Sequence, residues 1–375
     1  MRLSIVSLLI LLSVGNGFSQ AALNSTGAVH EWGTFTSVAG EDGSAMAWRP
    51  LYGPSDLPCF VHHLDQQNLK LADYGTVRME TPVIYFYPLK PLTVTVHVGF
   101  PEGRVTEWYP QASAVQTAGT PNGWIEWKNV LVSRGGGTLP KLDAASHYYA
   151  ARQTNSWFLQ SEGEEEKLLF YRGIAYFSVD LRPVVQADGV SLHNNSTETV
   201  PSAVLFENHA GRIGYKVIHG LRDPVNIKFA ELSGSVNDLR TKLAEELTEM
   251  GLYHEEARAM LETWRDSWFE EGLRVFYILP RRKVDQLLPI SIEPAPEQVA
   301  RVFVGRVELL SPSMRSEISA ALKSGDTAML KKYGRFLDAF LHEMGGEGMD
   351  QRARQLLNHS DRQIAVESKR VSCGQ

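Results

Sequence analysis

The feature that most constrains this fold is a long series of short β-type segments with no helical segment among them. Between residues 27 and 231, runs rich in Val, Thr, Tyr, Trp and Phe, such as LTVTVHVGF (Leu92–Phe100), are separated by Gly, Pro and Asn. Apolar and polar residues that alternate with period two favour half-buried strands, and Gly, Pro and Asn favour turns. Short strands without helices between them predict an antiparallel β-sandwich-like domain.

The periodicity becomes helical after Ser235. Ser235 and Asp238 form a capping-box pattern, and leucines then follow at helical spacing. Further helices are predicted over residues 254–271, after Ser311-Pro312, and as one continuous segment over 326–344. RVFYILP and RVFVGRVELL predict strands between them. The sequence predicts a mainly β fold with α+β, in which an antiparallel β-sandwich-like N-terminal domain precedes a smaller helix-rich α+β domain.

The N-terminus has the pattern of a secretory signal peptide. Arg2 precedes an apolar run over residues 3–14, and Ser19 and Ala21 are the small residues of a cleavage site. We predict a signal peptide over 1–22, the β-sandwich-like domain over 23–232, the α+β domain over 233–360 and a loose tail over 361–375. The apolar run is short for a membrane span, so we expect a secreted or periplasmic protein without stable membrane insertion after signal cleavage. An uncleaved membrane anchor is the alternative.

Charge and cysteine content limit the functional classes. The net charge of −6 lacks the basic excess typical of nucleic-acid binders, so no nucleic-acid partner is predicted. Cys59 and Cys373 either pair in an oxidising compartment or remain two independent thiols. His62, His63 and Asp65 are the best metal-ligand candidates, but they have no diagnostic spacing. No metal site and no cofactor are predicted.

Three segments carry a resemblance to a family. HEWGTFTSVAG (30–40), RMETPVIYFY (78–87) and ETWRDSWFEEG (262–272) resemble segments of an uncharacterised family of secreted bacterial proteins. The resemblance spans most of the mature chain. It implies secretion, and it implies no activity, cofactor or catalytic residue.

Four charged residues interrupt apolar strand faces and are the catalytic candidates. They are Glu31, Glu80, Glu207 and Arg172. Glu80, for example, is predicted to share a face with Ile84 and Phe86. An isolated charge there costs several kcal/mol, so each residue must pair, reach water or shift its pKa. They either form structural ion pairs or converge in a cleft, where two carboxylates act as acid and base and an arginine binds an anionic group.

Two groups of aromatic and polar residues are the ligand-binding candidates. Trp32 belongs to the first of three Glu-Trp dipeptides, and carboxylates beside flat rings suit sugars, although aromatic residues also fill β cores. The connecting segment SHYYAARQ places four side chains with hydrogen-bonding groups close together, namely His147, Tyr148, Tyr149 and Arg152.

Recognition of an extracellular or envelope carbohydrate through the aromatic first domain is the leading functional hypothesis. A glycan or polymer hydrolase with paired carboxylates is the second hypothesis, and a structural envelope protein is the third. In the helical region, Glu262, Asp266 and Glu270 are interpreted as a solvated face. Glu271 is predicted either to pair with an arginine such as Arg274 or to line the junction of the two domains.

Overall fold

The computed structural model describes most of the 375-residue chain, namely residues 26–50, 57–64, 74–116, 122–141, 146–345, 348 and 351–357. The predicted signal peptide and tail lie outside the described residues, and so does Cys373. These three predictions, including the pairing of Cys59 with Cys373, therefore stay predictions.

Eighteen strands form the larger part of the described fold. In chain order they are β1 (Ala28–Val38), β2 (His62–His63), β3 (Val77–Tyr87), β4 (Leu92–Phe100), β5 (Gly103–Tyr109), β6 (Ala114–Gln116), β7 (Gly123–Ser133), β8 (Phe158–Ser161), β9 (Glu164–Glu166), β10 (Leu169–Ala175), β11 (Leu181–Val185), β12 (Gly189–Asn194), β13 (Val200–His209), β14 (Arg212–Leu221), β15 (Val225–Lys228), β16 (Gly272–Ile278), β17 (Ile290–Glu293) and β18 (Gln298–Leu309).

The α-helices are concentrated in the C-terminal part of the described chain. They are α1 (Val236–Glu249), α2 (His254–Thr263), α3 (Arg265–Trp268), α4 (Arg281–Leu287), α5 (Pro312–Ser324), α6 (Thr327–Lys332) and α7 (Leu337–Glu343), and short 3-10 helices span His147–Arg152, Phe229–Glu231 and Gly334–Phe336. The predicted caps are confirmed: the Ser235 hydroxyl accepts from the Asp238 amide, and the Ser311 hydroxyl accepts from the Met314 amide.

A nine-stranded sheet organises the molecule. Its strand order is β14-β13-β16-β18-β1-β3-β10-β5-β2. The first strand, β1, lies inside this sheet, parallel to β18 and antiparallel to β3. Strands β16 and β18, from beyond the predicted domain boundary, lie between β13 and β1. One sheet therefore contains strands from both predicted domains.

The two faces of the nine-stranded sheet bury different cores. One face packs with a six-stranded sheet, in which β6 pairs with β7 beside the order β17-β4-β7-β8-β9, and with the smaller sheet β11-β12-β15. Phe35, Val96, Trp127 and Val190 belong to one apolar cluster. The other face packs against α1 and α2 through a second cluster that contains Trp32. The predicted fold class is confirmed: the protein is mainly β with antiparallel sheets, a β-rich N-terminal part and helices towards the C-terminus. Among the described residues, no helix has the length and apolar character needed to cross a membrane.

Two predicted helices are interrupted, and the prediction that each is continuous is wrong. The segment 254–271 divides at Trp264, between α2 and α3. The segment 326–344 divides into α6, a 3-10 turn and α7, where Gly334 adopts a φ of +49°. A residue in the left-handed region ends an α-helix, and glycine adopts this conformation without a steric cost.

A bulge in β3 changes the face on which Glu80 lies. The register between β1 and β3 shifts between Trp32 and Thr34, and Thr81 has a φ of +51°. An extra residue in one strand reverses the alternation of side chains beyond it. Glu80 is therefore opposite Thr34 and is separated from the face of Ile84 and Phe86, which corrects the predicted grouping.

Candidate functional site

A pocket of about 370 Å³ lies where the nine-stranded sheet meets the C-terminal helical segments. The interruptions at Trp264 and Gly334 both lie in its walls. Its lining residues are Arg78, Glu80, His147, Thr263, Trp264, Asp266, Ser267, Glu270, Glu271, Gly272, Arg274, Glu308, Met314, Lys332, Tyr333, Gly334, Arg335, Phe336 and Phe340.

The floor of the pocket carries charged side chains that lie on the sheet itself. Arg78 and Glu80 lie on β3, Arg274 lies on β16, and Glu308 lies on β18 beside Arg306. All five residues are buried. The strand pairing places them together, since Arg274 is opposite Glu308 and β1 separates β18 from β3.

Glu308 anchors one end of this floor. It accepts hydrogen bonds from Arg274 Nε at 2.9 Å and from Arg306 Nε at 2.5 Å. Burial by itself would raise the pKa of Glu308, but the two guanidinium groups outweigh burial and lower it. Arg306 also donates through Nη2 to Glu270 Oε1 at 2.7 Å. At this end of the floor both arginines pair with carboxylates, although the buried Nη1 of Arg306 has no hydrogen-bond partner among the described residues.

Glu80 lies at the other end, between two arginines. Its Oε1 is 2.7 Å from Arg335 Nη2 and 3.9 Å from Arg78 Nε. Burial opposes ionisation, but Arg335, Arg78, Arg172 and Arg306 together lower the pKa of Glu80. Burial and the repulsion from Arg172 lower the pKa of Arg78 to about 10. The positive charge here exceeds what Glu80 neutralises.

The outer wall is the interrupted C-terminal segment. Arg335 lies on the 3-10 turn, and its guanidinium carbon is 5.0 Å from the ring centre of Phe336 and 5.7 Å from that of Trp48. Lys332 Nζ lies 2.5 Å from Glu271 Oε1. Glu271 therefore lines the pocket and pairs with Lys332. Burial opposes ionisation of Glu271, but its hydrogen bond with Lys332 lowers its pKa.

The facing wall follows the break between α2 and α3. His147 Nε2 lies 2.8 Å from Asp266 Oδ2, and His147 Nδ1 lies 3.2 Å from the carbonyl oxygen of Thr263. Trp264 Nε1 and Ser267 Oγ are buried, and neither has a hydrogen-bond partner among the described residues. This wall thus combines an aromatic ring, a hydroxyl and an exposed carboxylate.

The structure brings Glu80 and His147 to the pocket and places two other catalytic candidates elsewhere. Arg172 is buried next to the floor, where it lowers the pKa of Arg78 and of Glu80. Glu31 lies on the opposite face of the sheet, where it accepts hydrogen bonds from Arg301 Nε and the Tyr171 hydroxyl, each at 2.5 Å. Glu207 lies near the edge of the sheet and pairs with Arg212 at 3.2 Å.

The remaining ligand-binding candidates pack in the interior away from the pocket. Trp32 is fully buried in the core beneath the helices. Tyr148 donates to Glu166 at 3.0 Å, and Arg152 Nε binds both oxygens of the same carboxylate at 2.9 Å. The Arg152 guanidinium also lies 4.9 Å from the ring centre of Tyr149. The two hydrogen-bonded contacts hold the 3-10 helix against β9 of the six-stranded sheet.

Sequence reasoning missed most of the charged lining. Arg78, Arg274, Glu308, Lys332 and Arg335 were not among the candidates, and Asp266 and Glu270 were assigned to a solvated face. One signal was available. Two Arg-x-Glu triplets lie within predicted strands, at 78–80 and 306–308, and residues two apart share a strand face.

Of the three metal-ligand candidates, the structure describes His62 and His63, which are adjacent on β2. His62 Nε2 lies 2.9 Å from Glu164 Oε1, and Asp65 lies outside the described residues.

Comparison of the chain with family models, curated proteins and solved structures gives no match. The resemblance to an uncharacterised secreted family therefore stays a prediction.

Proposed function

We propose that this protein is secreted or periplasmic and that it binds a carbohydrate of the extracellular space or the cell envelope in the pocket described above. The observation that carries the proposal is the mixed character of the lining. Tyr333 and Phe336 line the pocket with rings that are largely buried, while Arg335, Asp266 and Glu271 offer charged hydrogen-bonding groups. A sugar presents C–H faces that pack on rings and hydroxyls that bind carboxylates and guanidinium groups.

The proposed carbohydrate site differs from the one that the sequence favoured, which was an aromatic surface of the first domain. Seven of the eight tryptophans are buried, so they fill cores instead of forming an open platform. Trp124 is the exception, and its ring stacks on His97 at 5.5 Å. The pocket volume of about 370 Å³ lies within the range of small-molecule sites.

The lowered pKa values of three pocket carboxylates favour binding over hydrolysis by these three groups. A glycosidase needs one carboxylic acid whose pKa is raised, so that it can protonate the leaving oxygen. Three carboxylates in the pocket, those of Glu80, Glu271 and Glu308, have lowered pKa values instead. They are acceptors for hydroxyl groups and are poor proton donors.

A thermal-shift and calorimetry screen of the mature chain against monosaccharides and short glycans tests the proposal. A ligand at 100 times its Kd stabilises the folded protein by about 2.7 kcal/mol. We expect at least one glycan to raise Tm and to be recovered chemically unchanged. Release of products would favour the hydrolase hypothesis, and a panel without any shift would contradict carbohydrate binding.

Matched variants assign the binding to the pocket. Asp266 and Asp188 both have side chains that are about two-thirds exposed, but only Asp266 lines the pocket. We expect Asp266→Ala to weaken glycan binding ~10-fold, because it removes a charged hydrogen-bond acceptor. Asp188→Ala should bind as the wild type does. Equal affinities of the two variants would place the ligand elsewhere.

A further inference from the structure

The charge at the pocket floor does not balance. Five arginines lie there or directly beside it, namely Arg78, Arg172, Arg274, Arg306 and Arg335. Four glutamates face them, namely Glu80, Glu107, Glu270 and Glu308; Glu107 is included because it is the cross-strand neighbour of Arg172. Lys332 and Glu271 form a separate pair. This group therefore contains one arginine more than glutamates; Asp266, a further pocket carboxylate, lies on the facing wall beside His147 and Arg265 and is not counted here.

The excess positive charge can be assigned to the Glu80 end. Arg274 donates to Glu308 and to backbone carbonyl oxygens of Trp268, Glu270 and Glu271. Arg306 donates one hydrogen bond to Glu308 and one to Glu270. By contrast, Arg78 and Arg335 share one carboxylate, that of Glu80.

Arg78 and Arg335 also have hydrogen-bonding capacity to spare. Arg78 donates to the carbonyl oxygen of Pro50, but its buried Nε makes no hydrogen bond within the described part of the chain. The side chain of Arg335 is one-fifth exposed, so it connects the floor with solvent. A buried guanidinium with an unused donor is costly unless a ligand supplies the acceptor.

We infer that the bound carbohydrate is acidic and that Arg78 and Arg335 bind its carboxylate beside Glu80. This inference rests on the proposed function and names its ligand class. A planar carboxylate matches the fork of a guanidinium in a bidentate arrangement. It also carries one negative charge, which equals the excess at the floor. A phosphate monoester carries nearly two negative charges at neutral pH and would leave the site negative.

Matched sugars test the inference directly. Methyl glucuronide and methyl glucoside differ only in whether C6 is a carboxylate or a hydroxymethyl group, and the galacturonide and galactoside form a second such pair. We expect the acidic member of at least one pair to bind ~10-fold or more tightly, as a charge-assisted hydrogen bond allows. Glucose 6-phosphate and glucose 6-sulfate should bind more weakly than the uronide.

Variants then locate the carboxylate. Arg335→Gln should abolish the preference for the uronide, because it should weaken uronide binding much more than binding of the neutral sugar. Lys228→Gln removes the same charge from an exposed side chain on β15 and should keep the preference. Glu80→Gln removes the resident carboxylate, so it should tighten uronide binding several-fold relative to binding of the neutral sugar.

Each result has a distinct meaning. Equal binding of the uronide and the neutral sugar would overturn the acidic-ligand inference and leave carbohydrate binding intact. Tighter binding of the phosphate or the sulfate would overturn the carboxylate assignment. Weaker uronide binding by Glu80→Gln would overturn the roles given to Arg78 and Arg335. If Arg335→Gln does not fold, Glu80→Gln provides the test of these roles instead. No binding of any sugar would overturn both proposals.

Discussion

The buried charges of this protein are of two kinds at the residue scale. Some are closed within the interior, as Glu31 is with Arg301 and Glu166 is with Arg152. Others line the pocket, as Glu80 and Arg78 do. Sequence patterns detect a charge on an apolar strand face, but they do not tell these kinds apart, because the partner lies far away in the chain.

Glu31→Gln tests the first kind. The variant leaves Arg301 buried with less compensation, so we expect the free energy of unfolding to fall by about 3 kcal/mol. Urea titration measures this loss. Glu41→Gln breaks an exposed pair with Arg315 and should cost under ~1 kcal/mol. Unchanged stability of Glu31→Gln, or a large change in glycan affinity, would contradict the structural role of Glu31.

Glu308 predicts a dependence of stability on pH. Its pKa is lowered in the folded protein, so the folded state binds its proton less readily than the unfolded chain does. The stabilisation is therefore complete above the ordinary carboxyl pKa of 4.5 and is lost as the pH falls through the lower folded value. Glu308→Gln should flatten the fall of Tm below about pH 5. An equally steep fall in the variant would refute this linkage.

At the scale of elements, the sequence predicts regular structure well and fails around the pocket. Strand β4 and the capped starts of α1 and α5 follow local patterns, and they form as expected. Three irregularities do not follow the pattern: the bulge at Thr81, the break at Trp264 and the turn at Gly334. All three lie in or next to the pocket. Such departures depend on tertiary contacts and concentrate at functional sites.

The packing between β16 and β18 gives a prediction at this scale. A Cβ at Gly305 would lie 2.0 Å from the ring of Tyr277, whereas one at Gly135 would meet no atom within 4 Å. Gly305→Ala must displace that ring or a strand, so we expect a loss of ~2 kcal/mol or more. Gly135→Ala should be close to neutral. Similar Tm values for the two variants would contradict the close approach of these strands.

At the scale of the whole molecule, the nine-stranded sheet crosses the domain boundary predicted at residue 232. Strand β18 pairs with β1 along its length, and β16 pairs with β13. Sequence composition distinguishes a β-rich half from a helix-rich half. It does not show which strands pair, because pairing depends on contacts between residues far apart in sequence.

A fragment experiment tests whether the two predicted domains fold as one cooperative unit. Residues 23–232 alone lack the two strands that join β13 to β1, so we expect no cooperative unfolding transition from this fragment. Addition of residues 233–375 should restore one transition, monitored by circular dichroism. Two independent transitions in the intact chain, or a stable isolated N-terminal fragment, would show that the halves fold separately.

The parallel pair β1–β18 also determines the order of events during biogenesis. Glu31 and Arg301 are 270 positions apart, yet they form one ion pair at the centre of the sheet. The chain loses the entropy of closing so long a loop before the contact can stabilise it. Folds rich in such long-range contacts therefore form slowly. Strand β1 thus completes its pairing only after the chain has been made through Leu309. Until then its apolar residues and one backbone edge need shielding from other chains.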